Sequence, residues 1–317
     1  STAVTARSDR KQGLGGQMKE FNDKVAVITG AGSGFGREFA RVGAALGMKL
    51  VLADIQEDAL LATAGELRAS GAEVLARKVD VSDGAQVDAL AAATMETFGS
   101  VHLLFNNAGI GAAGLVWENT VQDWQWALGV NLWGVIHGVR AFTPLMLAAA
   151  KASADFQGHI VNTSSMAGLL NQPNMGAYNV SKHAVVSLSE TLFHDLSLVT
   201  DQVHCSVLCP YFVPTGIHQS SRNRPADLRN DAPATQSQLI AQAMVDKAVT
   251  SGRLTAEHIA QLTFEAIRGD AFYIVSHPNA LEGIRQGAED LVALRNPSDP
   301  FANHPEQRAR LEAALRG

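Results

Sequence analysis

Val25-Ala26-Val27-Ile28-Thr29-Gly30-Ala31-Gly32-Ser33-Gly34-Phe35-Gly36 runs from an apolar stretch through a glycine-rich turn into a helical pattern. Strands buried on both faces of a parallel sheet read as continuous apolar runs of this kind. Gly30, Gly34 and Gly36 let the turn tighten, so that a phosphate can approach backbone N–H groups at the start of the helix. A Cβ at those positions would hold the phosphate away. With a strand before them and a helix after, the glycines have the setting that a dinucleotide-binding turn requires.

Outward from this turn, strands and helices alternate. Strands are predicted at 25–29, 49–54, 73–79, 102–106, 159–163, 203–208 and 271–275. Helices are predicted at 35–46, 57–70, 85–98, 131–147, 177–198 and 255–268. Such alternation forces parallel pairing with right-handed crossovers. The fold class is therefore α/β: a single doubly wound Rossmann domain, with a seven-stranded parallel sheet in the order 3-2-1-4-5-6-7 and helices on both faces. Two regions break the rhythm. Residues 151–157 lengthen a turn and read as a surface insertion. Residues 214–252 are polar, contain Pro225 and Pro233, and follow the strand that should border a substrate, so they are predicted to form a lid loop. Residues 1–20 read as a disordered leader, or as sequence ahead of a natural start at Met18. The domain spans 21–280, and 281–317 form a C-terminal extension packing on the domain or on a partner subunit.

The chain of 317 residues is 46% apolar and 18% charged, with a net charge of −6. That composition belongs to a globular protein and speaks against a nucleic-acid or anionic-membrane surface. No apolar run is read as long enough to span a membrane. The two cysteines, Cys205 and Cys209, lie on one predicted strand, too far apart to bond, and read as buried thiols of a cytoplasmic protein. His137 and His183 lack metal-ligand spacing and read as helix-face residues, so no metal site is expected. Trp117, Trp124, Trp126 and Trp133 read as core or interface anchors, with Trp117 in a loop able to border a substrate.

Asp54 ends the second strand, where a carboxylate accepts hydrogen bonds from the adenosine ribose hydroxyls and repels a 2′-phosphate. No cation stands in the turn before Gly36. Arg37, just after it, is the one residue placed to soften a preference for NAD over NADP. Asn106-Asn107-Ala108-Gly109 ends the fourth strand with small residues that let backbone pass close to a cofactor, and with side chains able to tie neighbouring strands together.

Tyr178-Asn179-Val180-Ser181-Lys182 sets a phenol and an ammonium one helical turn apart, and Ser165 precedes Tyr178 by thirteen residues. A phenol titrates near ~10, so neutral acid/base work needs a neighbouring cation to favour the phenolate. Together with the glycine-rich turn, this set describes hydride transfer to or from a nicotinamide.

Across about 24–275 these residues resemble the short-chain dehydrogenases/reductases, in their single-domain branch. The resemblance rests on the glycine-rich turn, Asp80, residues 106–109, Asn131, Ser165, Tyr178, Lys182 and residues 210–215. It implies Tyr178 as acid/base and Lys182 as support for the phenolate and ligand of the nicotinamide ribose. Ser165 would steady the substrate oxygen, and Asn131 would hold a water linking Lys182 to solvent. It also implies cofactor contacts from Gly30, Ser33, Gly34, Phe35, Gly36, Asp54, the adenine-contacting pair Asp80 and Val81, Asn107, Ala108, Gly109, Pro210, Val213 and Thr215. Where the family usually has Pro-Gly, this chain reads Pro210-Tyr211. The implied activity is NAD-dependent interconversion of a secondary alcohol and a ketone, on a bulky or aromatic small molecule, in a homodimer or homotetramer. In this family the apolar stretch 185–192 would pack on a partner.

Two alternatives remain. A catalytically idle dinucleotide-binding sensor would be expected to have lost part of the Ser/Tyr/Lys set. A nucleotide-sugar epimerase or dehydratase would space its glycines differently. A narrower resemblance, carried by Met18-Lys19-Glu20-Phe21 and residues 129–138, 221–225 and 271–275, is to the Cα-dehydrogenases that oxidise benzylic alcohols in lignin-type β-aryl ethers.

Overall fold

The computed structural model describes residues 17–316. Its centre is a seven-stranded parallel sheet in the order β3-β2-β1-β4-β5-β6-β7. The strands are β1 (Val25–Thr29), β2 (Lys49–Asp54), β3 (Val74–Lys78), β4 (Leu103–Asn106), β5 (Gly158–Thr163), β6 (Val203–Cys209) and β7 (Tyr273–Val275). The five residues of β1 and the seven of β6 are buried throughout, as their unbroken apolar runs require. Helices α1 (Gly34–Ala45), α2 (Glu57–Ala69), α3 (Gly84–Phe98), α4 (Val121–Leu128), α5 (Gly134–Ala152), α6 (Gly176–Val199), α7 (Gln236–Thr250), α8 (Ala256–Arg268), α9 (Leu281–Val292) and α10 (Pro305–Arg316) complete the chain.

Two apolar clusters cover the faces of the sheet. On one, Phe39 of α1 stacks on Phe105 of β4 at 4.3 Å, and Phe264 of α8 closes the same layer. On the other, Phe142 and Met146 of α5 and Leu192 and Leu196 of α6 pack against Val27, Leu104 and Ile160. Parallel register brings the carboxyl ends of the strands to one edge, with Thr29 opposite Ala53 and Asn106 opposite Asn162. Ligands of open α/β sheets bind in the crevice at that edge.

Several expectations change. The helix predicted from 131 begins ten residues earlier, at Val121, and runs to Ala152 with a π-helical turn at Gly129–Trp133. Thr120 starts it through a capping box with Asp123, a signal lying upstream of the stretch read as helical. This 32-residue run is long and apolar enough to cross a membrane, which corrects the reading that no such run exists. It belongs to the folded domain: α5 packs on α3 and the sheet, and α4 packs on α6. The apolar residues Val185, Val186 and Leu192 of α6 are buried within the chain.

Segment 214–252 is no plain loop. It holds the 3-10 turns Gly216–Asn223 and Ala226–Leu228 and the fifteen-residue α7, capped by Thr235 and Gln238. The expected surface insertion at 151–157 is partly the end of α5. Its turn is held by Gln202 Nε2, which donates to the carbonyls of Ser153, Ala154 and Phe156.

Within the expected leader, Met18 is buried in the core cluster beside Phe21; residues 1–16 lie outside the described residues. In the C-terminal extension, Leu311 of α10 is buried and Gln236 of α7 donates to the Ala314 carbonyl. Both cysteines are free and buried.

Candidate active site

A cavity of about 1280 Å³ lies at the carboxyl edge of the sheet, between the glycine-rich turn and segment 214–252. It is lined at one end by Gly30, Ser33, Gly34, Phe35, Asp54, Asp80 and Val81, and in the middle by Asn107, Ala108 and Gly109. Ser165, Tyr178, Lys182, Pro210, Val213 and Thr215 also line it.

Gly30 and Gly34 have φ of +67° and +53°, a region that only glycine enters without strain. A Cβ on Gly36 would collide with the Gly30 carbonyl, so the three glycines are needed for the shape of the turn. Asp54 Oδ2 accepts from Gly32 N at 2.8 Å, and Oδ1 accepts from Gln56 N at 2.9 Å. The carboxylate at the end of β2 is thus tied to the turn it serves. Arg37 is bound away: its Nη2 lies 2.6 Å from Glu66 Oε2 on α2, and it is not part of the cavity wall. Asp80 Oδ1 accepts from Ser82 N and Oγ, fixing the carboxylate beside Val81.

The Asn residues after β4 tie strands as read from the sequence. Asn106 Nδ2 donates to Asn162 Oδ1 at 2.9 Å, and Asn107 Nδ2 donates to the Thr29 carbonyl at 3.0 Å. Thr29 Oγ1 also accepts from the N–H groups of Asn107 and Ala108, a role with no local signal in the sequence.

At the chemical centre Tyr178 and Lys182 occupy the first two turns of α6, both buried. Lys182 Nζ donates to the Thr163 carbonyl at 3.1 Å and lies 5.7 Å from the centroid of the Tyr178 ring. Burial raises the pKa of the Tyr178 phenol, and a hydrogen bond with Ser165 opposes that rise. Burial lowers the Lys182 ammonium to about 8. Ser165 Oγ accepts from Ala167 N at 3.1 Å and donates to the Pro210 carbonyl at 3.4 Å, which fixes its rotamer toward the cavity.

Asn131 sits in the π-helical turn, fully buried. Its Oδ1 accepts from Ile110 N, while Nδ2 donates to the Ile110 carbonyl and to Ser181 Oγ. A π-turn inside an α-helix often marks a functional site, and here it sets a buried amide beside Gly109 and Lys182.

Tyr211, in place of the usual glycine, lines the cavity with its ring against Phe212 and His277. The residues that sequence reasoning missed face the far end of the cavity: Asp123, Trp126, Met175, Arg224 and Leu239. Trp126 is buried beneath the Arg224 guanidinium, 5.2 Å from its ring centroid, whereas Trp117 is exposed and lies off the cavity wall. His137 and His183 bond to backbone carbonyls, and no cluster of metal-ligating side chains occurs among the described residues.

Comparison with known proteins gives the family. The family profile described as short chain dehydrogenase matches residues 24–226. The chain is 38% identical to the CLA biosynthesis dehydrogenase/reductase of Lactiplantibacillus plantarum, over 82% of this chain and 90% of that protein. It is 30% identical to the C alpha-dehydrogenase of Sphingobium sp., over 94% of both, which bears out the narrower resemblance. A crystal structure of a short chain dehydrogenase/reductase from Burkholderia phymatum in complex with NAD superposes with a TM-score of 0.87 at 58% identity, covering 90% of this chain and all of that one. With its sheet order, glycine-rich turn and Ser/Tyr/Lys set on one cavity, the chain belongs to the short-chain dehydrogenase/reductase family and is an oxidoreductase.

Proposed function

We propose that the protein is an NAD-dependent dehydrogenase that interconverts a secondary alcohol and a ketone on a bulky, ring-bearing substrate. The observation that carries this reading is the convergence of Ser165, Tyr178 and Lys182 on a cavity whose other end is the Gly30–Gly34–Gly36 cradle.

The cradle fits the cofactor. Its backbone leaves no room for a Cβ at Gly36, and the N-terminus of α1 offers N–H groups and a positive dipole end to a diphosphate. Asp54 would accept from the ribose hydroxyls, with Asp80 and Val81 beside the adenine, while Asn107, Ala108 and Gly109 follow the middle of the cofactor. Lys182, Pro210, Val213 and Thr215 would hold the nicotinamide end. NAD is known to occupy the related Burkholderia protein. When bound, the nicotinamide accepts or returns the hydride.

The chain's own residues manage the proton. Tyr178 Oη takes it from the substrate hydroxyl during oxidation and returns it during reduction. Ser165 Oγ turns its one proton from the Pro210 carbonyl to the substrate oxygen, where charge develops. Lys182, charged, favours the phenolate, and the Thr163 carbonyl keeps its ammonium in place. Asn131 orders Ile110 and Ser181 beside this pair and would hold the relay water that links Lys182 to solvent.

The long helix leaves Val121 and Trp133 exposed, and α6 leaves Val180 exposed, which supports a second copy of the chain as partner in a dimer or tetramer. The free, buried cysteines accord with a cytoplasmic enzyme.

The test follows the absorbance of reduced nicotinamide, with NAD and NADP supplied in turn, against secondary alcohols and ketones graded by size. Turnover of ring-bearing alcohols with NAD is expected. Absence of turnover across the panel, with the protein folded and NADH bound, would favour the idle sensor.

A further inference from the structure

Asp123, on the first turn of α4, is a buried carboxylate that the proton chemistry does not use. Burying a carboxylate costs several kcal/mol unless donors replace the lost water, so its partners show what it is for. Oδ1 accepts from Arg224 Nη1 at 2.7 Å and from Asn230 Nδ2 at 3.0 Å. Oδ2 accepts from Thr120 N at 2.9 Å and from Gln238 Nε2 at 3.2 Å. Thr120 is the local helix cap. The other three donors come from three separate pieces of segment 214–252: the end of its first turn, its central loop and the start of α7.

Each of those partners passes the constraint on. Arg224 Nε donates to the Leu228 carbonyl and Nη2 to Asn230 Oδ1, with its guanidinium over Trp126. Gln238 Oε1 accepts from Thr235 N, so the side chain that reaches Asp123 also caps α7. Burial works to raise the Asp123 pKa, but the hydrogen bonds from Thr120, Asn230 and Arg224 outweigh it and hold it below its ordinary value. The carboxylate therefore stays charged at neutral pH. Immediately before Arg224, Asn223 Oδ1 accepts from Gln56 Nε2, a neutral bond that joins the segment to the cofactor end of the cavity.

We propose that Asp123 is a positioning residue for substrate binding: it clamps segment 214–252 into the wall that shapes the substrate end of the cavity, without touching the hydride-transfer centre. The substrate arm of this inference rests on the dehydrogenase reading above; the clamp itself does not. The Asp123–Arg224 pair forms one corner of the wall, with Trp126 beneath and Gln238 above.

The test compares the wild-type chain with Asp123→Asn and, in case that variant folds poorly, with Arg224→Met, which keeps the carboxylate. Trypsin should cut at Arg222, Arg229 or Lys247 at least about tenfold faster in Asp123→Asn, while sites in the sheet domain keep their wild-type rates. NADH affinity should stay within about twofold, and KM for a ring-bearing alcohol should rise about tenfold or more while kcat falls less than about threefold. The double variant should be no worse than the more severe single one, because both remove the same clamp. Unchanged cleavage within 214–252, or faster cleavage spread evenly over the chain, overturns the clamp. Faster lid cleavage with KM unchanged removes the role in substrate binding. Should the wild type oxidise no alcohol, the dehydrogenase reading fails, while the cleavage pattern still decides the clamp.

Discussion

Lys182 Nζ is fixed by the Thr163 carbonyl at 3.1 Å and stands 5.7 Å from the centre of the Tyr178 ring, with both side chains out of water. Burial disfavours the charged form of each, pushing the phenol up and the ammonium down to about 8. The pair can pay this penalty jointly, since a phenolate beside an ammonium stabilises both charges. Below about pH 8 Lys182 is cationic and supports the phenolate. In alcohol oxidation kcat/KM should therefore rise with pH along one limb to a plateau, and fall again above about pH 8 as Lys182 loses its charge. Lys182→Met removes the cation, so that limb should move to higher pH and the plateau should fall by about a hundredfold or more. A pH profile that keeps the wild-type limb would take Lys182 out of the mechanism.

Tyr178→Phe keeps the ring and deletes the ionisable oxygen. Turnover should drop at least about a hundredfold, while circular dichroism and NADH affinity stay close to wild type. Most of the activity surviving the change would assign the proton to another group.

Cofactor choice is expected to fall to Asp54, because Arg37 is engaged with Glu66 at 2.6 Å and lies off the cavity wall. A 2′-phosphate would meet a carboxylate already anchored by Gly32 and Gln56. The ratio of kcat/KM for NAD over NADP should exceed about tenfold, and Asp54→Ala should narrow it. Equal kcat/KM values in the wild type would point to a cation of segment 214–252, which brings Arg222, Arg224 and Lys247 to the cavity.

The sheet was legible because most of its strands are short, largely apolar runs between turn signals, and the strand order followed from the alternation with helices. The glycine-rich turn and the Tyr178–Lys182 spacing were legible because their chemistry depends on residues close together in sequence. Other features depend on distant partners. The start of the long helix was missed because its cap, Thr120 with Asp123, lies ahead of the apolar spacing and looks like loop. α7 was missed because it follows the polar stretch that holds Pro225 and Pro233, and because only Ser237, Ala241 and Val249 of it are buried, too few to mark a core-facing stripe. The Asp123 clamp joins residues about a hundred positions apart, and no local pattern announces it.

Acid should unfold the protein through His159. It is 1% exposed, its Nε2 bonds to Ser206 Oγ at 2.7 Å, and burial, followed by the charge of nearby His204, lowers its pKa from 6.5 to about 3. Between those two values the unfolded chain binds a proton that the folded chain refuses. Stability should therefore be intact above about pH 6.5 and fall as pH drops toward 3, with a slope of up to about 1.4 kcal/mol per pH unit from this group. Urea midpoints measured across that window for wild type and His159→Gln test it: the variant, though weaker at neutral pH, should show the shallower fall. Parallel curves would place the acid sensitivity elsewhere.

Substrate size is the last expectation, and it comes from the shape of the cavity. Drug-sized ligands occupy pockets of about 300–1,000 Å³, and the cavity here, at about 1280 Å³, has room for a dinucleotide plus a sizeable second molecule. Its substrate end is walled by Trp126, Leu170, Met175, Tyr211 and Leu239, an apolar and partly aromatic set beside Ser165 and Tyr178. A small alcohol would touch few of these side chains and leave water next to the reacting centre. A ring-bearing alcohol would displace that water and strengthen its polar contacts with Ser165 and Tyr178. Ring-bearing secondary alcohols should thus exceed 2-propanol in kcat/KM by about a hundredfold or more, mostly through KM. Tyr211→Gly, which restores the residue usual in the family, should cost part of that advantage for aromatic substrates. If 2-propanol gives the higher kcat/KM, the apolar end of the cavity does not select the substrate.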